Sequence, residues 1–259
     1  MTVISGNCVI EKLETTLETV EFLVQKSNEY NFDLIYKSSF KKDNRSSMDH
    51  YIGPDLDESA FIFKQIKDKY GVKILTDFHH LYELEHDIIN YIDIIQIPAY
   101  LCMQSELVLA MAKTGKIINI KKGQFLHPQD IDKVVKKVEE VGNQDIIITE
   151  RGTCFGYRDL VVDPRTFYIM KKFGYPVIFD VGHSVRKYGV PSADLIYGGA
   201  KEYVNTLACA AIATNIDGIF VEVHPDPPSA LCDAATQLSF EEFSELIQNI
   251  NPIWYALND

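Results

Sequence analysis

The segment Lys37–Ser47, KSSFKKDNRSS, is the stretch whose residue types and spacing point most directly to chemistry. Four cations, Lys37, Lys41, Lys42 and Arg45, stand within eleven residues. Asn44 and the hydroxyls of Ser38, Ser39, Ser46 and Ser47 lie among them. The protein as a whole is acidic, with a formal net charge of -12. A dense cationic loop in such a chain suits a bound anion, phosphate most commonly. A solvated basic turn is the other reading of the same residues.

The loop follows an apolar run, residues 32–36, that reads as a short buried strand. Seven more runs of this kind recur, giving strand candidates at 3–8, 34–37, 73–77, 92–97, 117–121, 146–150, 177–181 and 218–223. Helical patterns fill the intervals at 14–29, 56–69, 81–89, 105–113, 128–141, 164–173, 201–214 and 240–248. Pro128 and Pro164 suit a first helical turn, and Gly71, Gly115, Gly142 and Gly174 suit left-handed helix ends. Most strands are apolar without alternation, as when both faces are covered. Eight strand–helix units over 259 residues predict an α/β fold, a single-domain (β/α)8 TIM barrel spanning residues 1–259. A doubly wound open sheet is the runner-up. No G-x-G-x-x-G follows the first strand to support it.

A barrel places its site at the carboxyl ends of the strands. The polar residues follow that rule: Cys8 and Glu11; Lys37; Thr76, Asp77, His79 and His80; Gln96; Lys121, Lys122 and Gln124; Glu150 and Arg151; Asp180 and His183; Glu222, His224 and Asp226. The strand amino ends carry no such density, which favours an enzyme over a scaffold. Two sets separate. Lys37, Lys42, Arg45, Lys121 and Arg151 would converge on anions at the barrel mouth. Any one of them could instead pair with a neighbouring carboxylate. Lys122 is expected to do so, since its side chain points away from the side Lys121 faces. Cys8, His183, Glu222 and Asp233 form a softer set that suits a divalent transition metal such as Zn2+, Fe2+ or Mn2+. Lone Cys and His residues are more often structural, so spacing leaves both readings open. His50, His86 and His127 read as surface residues, and His79 and His80 stay ambiguous.

The bulk composition narrows the class. At 46% hydrophobic and 24% charged the chain is ordinary for a globular protein. Its excess of acid argues against nucleic acid. No apolar run approaches the roughly 20 residues that span a bilayer. Residues 1–14 show no basic stretch before an apolar core, so no signal peptide is expected. Five scattered cysteines without a C-x-x-C pair suit reduced thiols in the cytoplasm. That location makes the N-x-S match at Asn44–Ser46 irrelevant to glycosylation.

The motifs taken together resemble the 3-deoxy-D-manno-octulosonate 8-phosphate synthases. The resemblance runs through GNCVIE at 6–11, KSSFKKDNRSS, LTDFH at 75–79, QIPAYL at 96–101 and NIKKGQF at 119–125. It continues through ERGTCFGY at 150–157, FDVGHSV at 179–185, GIFVEVHPDP at 218–227 and CDA at 232–234. The heptulosonate 7-phosphate synthases are similar at the GN, ERG and E-x-H-P segments. They carry K-P-R-T-S where this chain has KSSFKKDNRSS.

The resemblance implies condensation of phosphoenolpyruvate with arabinose 5-phosphate and release of inorganic phosphate, a step in lipopolysaccharide or related glycan precursor synthesis. It places Lys37, Lys42, Lys121, Arg151 and His183 on phosphoenolpyruvate. Asn44, Arg45, Ser46, Asp77 and Gln124 fall around the sugar phosphate, with Gln96 among the substrate-binding positions. Cys8, Lys121, His183 and Asp233 are the expected catalytic positions. Metal-independent members have Asn where this chain has Cys8, so a divalent ion on Cys8, His183, Glu222 and Asp233 is implied. A homo-tetramer is implied too, with the Arg45 equivalent reaching the phosphate from an adjacent subunit. Asn7, Lys41, Asp43, Gly182, Arg186, Lys201 and Ala234 depart from the family pattern, and residues 186–198 lack its Pro-Gly-Gly. These changes cluster on loops that would meet the aldehyde. They leave open the same condensation with another aldose, such as erythrose 4-phosphate. A non-catalytic sugar-phosphate sensor is the remaining alternative.

Overall fold

The computed structural model describes residues 1–45, 47, 49–155, 159–187, 190 and 196–258. Among them eight parallel strands close into a barrel: Thr2–Gly6, Asp33–Lys37, Lys73–Asp77, Ile94–Ile97, Ile117–Lys121, Ile146–Glu150, Val177–Asp180 and Gly218–Glu222. Each pairs with its neighbours in chain order, and the first closes the ring on the eighth. The (β/α)8 expectation is met.

The strand register decides what faces the centre. Ile4 stands level with Ile35 on one side and Phe220 on the other. These three, with Leu75, Ile94 and Ile178, form a small apolar cluster of their own. It is the plug inside the barrel. Side chains along a strand alternate between faces, so the next inward residue lies two positions on. From the plug that step gives Lys37, Asp77, Gln96, Asp180 and Glu222. The residues of the opposite face, among them Val3, Tyr36, Ile74, Ile95, Ile118, Ile148 and Val221, belong to the larger core packed between barrel and helices. Both faces are thus apolar along the middle of most strands, although exposed Asp33 and Lys73 open the second and third. Towards the carboxyl end the inward face turns polar, in the fifth strand already at Asn119, which is why the runs look continuous yet end in charge.

Helix ends follow local chemistry. Asp55 caps the helix Leu56–Tyr70 by accepting from Glu58 N–H at 2.8 Å, and Gly71 closes it at φ 64. Gly115, Gly142 and Gly174 also have positive φ, as expected after helices. Residues 81–89 do not form one α-helix. They make two short 3-10 turns, Leu81–Glu85 and Asp87–Tyr91. The Glu83 carboxylate turns back onto His79 and His80 N–H at 2.7 and 3.0 Å. His86 Nδ1 accepts from Ile88 N–H at 3.1 Å and starts a new turn there. Such side-chain bonds to nearby backbone compete with a continuous helix. The last helix overruns its expected end, running Phe240–Asn258 through Pro252. The first strand stops at Gly6 rather than 8. A Cβ at Gly6 would meet the Lys37 carbonyl oxygen at 2.1 Å, so only glycine allows that approach. Cys8 therefore sits in a bend above the strand.

Candidate active site

The carboxyl end of the barrel holds a cavity of about 140 Å³. Lys37, Lys42, Asn44, Asp77, Gln96, Lys121, Arg151, His183 and Asp233 line it, all of them expected site residues. The basic loop splits its four cations. Lys37 and Lys42 are buried in the cavity wall. Lys41 turns outward to Asp43 at 3.5 Å and Glu83 at 3.6 Å. Arg45 lies over the segment 231–232 of its own chain, with Nη1 donating to Cys232 Sγ at 2.8 Å and Nη2 to the Leu231 carbonyl at 3.3 Å. Ser46 falls outside the described residues.

Three of the buried lysines, Lys37, Lys121 and Lys122, have a buried carboxylate beside them. Lys37 Nζ donates to Glu222 Oε1 at 2.7 Å and to the Cys8 carbonyl at 3.0 Å. Lys121 Nζ sits 2.5 Å from Asp180 Oδ2 and 3.9 Å from the centre of the Phe220 ring. Burial pushes the Lys121 ammonium below its usual range despite Asp180. Arg151 donates to the His183 carbonyl at 3.3 Å. Lys122, on the other face, pairs with Glu150 at 3.6 Å.

Asp180 joins two of these groups. It ends the seventh strand and starts the helical turn Val181–Ser184, accepting from His183 N–H at 3.0 Å. Its Oδ2 lies 2.9 Å from His183 Nδ1. Burial alone would raise this carboxyl, but His183 and Lys121 hold it well below the usual carboxylate range. With Nδ1 turned to Asp180, the Nε2 of His183 faces Asp233 Oδ2 at 3.5 Å and Glu222 Oε2 at 3.9 Å. Burial opposes ionisation of Glu222 too, yet Lys37, His183 and Lys42 bring it down to about 2.

The four expected metal ligands fall into two groups that share one member. His183, Glu222 and Asp233 offer ligand atoms within 4.8 Å of one another, and so do Cys8, Cys232 and Asp233. Glu222 Oε2 is buried without a hydrogen-bond partner, as an oxygen kept for a cation would be. An imidazole oriented by a carboxylate on its other nitrogen is the usual arrangement for a metal-binding histidine. The residues present fit a divalent ion.

Several participants escaped the sequence reading. His79, left ambiguous, lines the cavity with Nε2 3.3 Å from Asp77 Oδ2. Asp43 and Arg186, both departures from the family pattern, line it as well. Gln237 is fully buried behind the cysteines. Its Oε1 accepts from Cys8 N–H at 3.1 Å and its Nε2 donates to the Cys232 carbonyl at 2.8 Å. Gln237→Leu should therefore destabilise the protein by about 1–3 kcal/mol, because two buried backbone groups lose their partner. Urea unfolding measures it, and a variant within experimental error of the parent would remove the clamp from the account. Gln124 does not line the cavity. It is buried, with its carbonyl taking Cys154 N–H at 2.8 Å.

Among the described residues no helix is long and apolar enough to cross a membrane. The family model described as "DAHP synthetase I family" matches residues 1–254. The 2-dehydro-3-deoxyphosphooctonate aldolase of Trichlorobacter lovleyi is 45% identical over 253 residues, covering 98% of this chain and 92% of the relative. Proteins of the same name from Geotalea uraniireducens and Geobacter sp. strain M21 are each 43% identical, covering 98% and 100% of this chain and 92% and 93% of their own. With a parallel barrel, a cationic cavity at its carboxyl end and similarity along nearly its whole length, the chain belongs to the DAHP synthetase I family.

Proposed function

We propose that this enzyme condenses phosphoenolpyruvate with arabinose 5-phosphate and water to give 3-deoxy-D-manno-octulosonate 8-phosphate and inorganic phosphate. The observation that carries it is the convergence of Lys37, Lys42, Lys121 and Arg151 on one cavity beside His183 and Asp233. Those cations match the phosphate and carboxylate of phosphoenolpyruvate, and they hold its enol carbon against the aldehyde. The new C–C bond joins that carbon to the aldehyde carbon, whose oxygen takes up a proton. Water adds to the carbon bearing the phosphate, and the C–O bond to phosphate then breaks.

In this reading Lys121 and Arg151 neutralise the departing phosphate. Asp180 keeps Lys121 charged against the pull of burial, and it turns His183 so that Nε2 faces the reacting atoms. The Asp233 carboxylate, 3.5 Å from that nitrogen, receives or passes on a proton. Cys8, His183, Glu222 and Asp233 would hold a divalent ion, Zn2+, Fe2+ or Mn2+. When bound, that ion supplies Lewis-acid charge at the cavity wall. Asn44 and Asp77 on the cavity wall face the sugar phosphate, and Arg45, Ser46 and Gln124 are assigned to it by the resemblance alone. The enzyme is one catalytic domain over residues 1–259 and acts as a homo-tetramer in the cytoplasm, without membrane or nucleic-acid partners.

Asp43 and Arg186 favour a second reading, the same condensation with a different aldose phosphate. They put an extra carboxylate and guanidinium on the cavity wall, where the family pattern has Ala and Gln. The test is phosphate release from phosphoenolpyruvate with each aldose phosphate in turn, using metal-stripped protein before and after adding Mn2+, Zn2+ or Fe2+. The expected result is release with arabinose 5-phosphate that requires added metal. Release only with erythrose 4-phosphate or a hexose phosphate would shift the substrate. Undiminished release from stripped protein would make Cys8 structural. Ligand binding with no release under any condition would leave a sensor.

A further inference from the structure

We infer that Cys232 is a metal-facing side chain and that the divalent ion is held by a pair of sulfurs, Cys8 and Cys232, as well as by His183 and the carboxylates. The inference rests on the metal reading above and extends it to a residue that the expected ligand set omits. The two sulfurs are 3.1 Å apart, and both side chains are buried. That separation is far too long for a disulfide, and both cysteines are free. Two thiolates on one tetrahedral ion, with metal–sulfur bonds near 2.3 Å, stand about 3.8 Å apart. A shift well under an ångström converts one arrangement into the other. The Asp233 carboxylate closes the group, with Oδ2 3.6 Å from Cys8 Sγ.

The backbone is shaped to present neighbouring side chains to one place. In an extended chain Cys232 and Asp233 would point to opposite sides. Asp233 instead adopts φ 45, a left-handed conformation that a residue other than glycine rarely takes. Strain of this kind persists where surrounding contacts enforce it, and it gathers at functional sites. Here the contacts are visible. Asp233 O accepts from the Thr236 and Gln237 N–H groups at 2.9 and 3.2 Å. The Gln237 side chain ties the Cys8 and Cys232 backbones to one another. Arg45 Nη1 adds a charged donor on the Cys232 sulfur at 2.8 Å, as outer groups around ligating atoms do. A buried amide, a guanidinium and a left-handed residue thus fix two sulfurs side by side at the edge of the His183 group. Two sulfurs favour Zn2+ or Cd2+ over the oxygen-preferring Mn2+.

The experiment is Co2+ loading of the metal-stripped full chain under a non-thiol reductant. Equilibrium dialysis gives the stoichiometry, and the near-ultraviolet sulfur-to-cobalt charge-transfer band reports the sulfurs. The wild type should bind Co2+ with a band that falls to about half in Cys8→Ser and in Cys232→Ser, and disappears in the double variant. A full band in Cys232→Ser, with loss confined to Cys8→Ser, overturns the inference and leaves a one-sulfur metal site standing. Absence of Co2+ binding by folded wild type defeats the metal reading, and this inference with it. Should the serine variants fail to fold, X-ray absorption of Zn2+-loaded wild type counts the sulfurs directly. Two support the pair, and one overturns it.

Discussion

Asp180→Asn is expected to cut turnover by about 10–100-fold while leaving the barrel folded. The replacement keeps the size and the acceptor oxygen that caps His183 N–H at 3.0 Å, so the turn Val181–Ser184 can form. What it removes is charge. Lys121 loses the only anion drawn within 2.5 Å of it among the described residues, in a site where burial already lowers its affinity for the proton. His183 loses the carboxylate 2.9 Å from Nδ1 that fixes which nitrogen carries hydrogen. An amide in that place can present its NH2 group to Nδ1, and the proton then moves to the nitrogen that faces Asp233. Two groups around the reacting atoms therefore fail together. Steady-state phosphate release, compared with thermal unfolding of the same sample, measures the effect. A folded variant within threefold of wild type would show that Asp180 merely balances charge.

Asp180 also shows where the sequence stopped being legible. Its place at a strand end follows from the pattern, as does its inward direction, two residues after the plug residue Ile178. The same arithmetic finds Lys37, Asp77, Gln96 and Glu222, and its opposite parity explains why Lys122 points away and pairs with Glu150. What the pattern does not give is partnership. Lys121 and Asp180 come from the fifth and seventh strands, which do not pair in the sheet, and they meet only across the barrel mouth. Gln237 and Cys232 lie beyond the last strand, in a segment without period, and return to the first strand by tertiary packing alone. The split of residues 81–89 has a similar cause. The choice between helix and two turns was made by the side chains of Glu83 and His86 bonding to backbone, which apolar spacing does not register. In the family-like residues the motifs supplied identities, and the register supplied the reason those identities share a cavity.

Lys37→Met should produce the largest combined loss, in activity and in stability. Removing a cation that meets substrate charge costs about 10²–10³-fold in turnover when such a donor is taken from a preorganised site. The stability loss comes from the partner left behind. Glu222 is 2% exposed, and Lys37 at 2.7 Å is the nearest cation holding it down to about 2. Breaking a buried pair from one side costs about 3–5 kcal/mol, a large part of the roughly 5–15 kcal/mol that keeps a domain folded. The pH dependence has a definite sign. In the wild type the folded carboxyl lies below the ordinary value of 4.5, so its contribution is present above that pH and is lost as pH falls from 4.5 towards about 2. In the variant burial acts with its main opponent gone and moves the folded carboxyl upward. The gap between wild type and variant is then widest near neutral pH, and it narrows as the medium is acidified and the variant's folded carboxyl takes up a proton while the wild type's stays ionised. Thermal unfolding of both proteins from pH 7 to pH 4 decides it. A gap that stays constant or widens in acid would mean that the Glu222 charge is held by His183 and Lys42 instead, and that Lys37 serves the substrate alone.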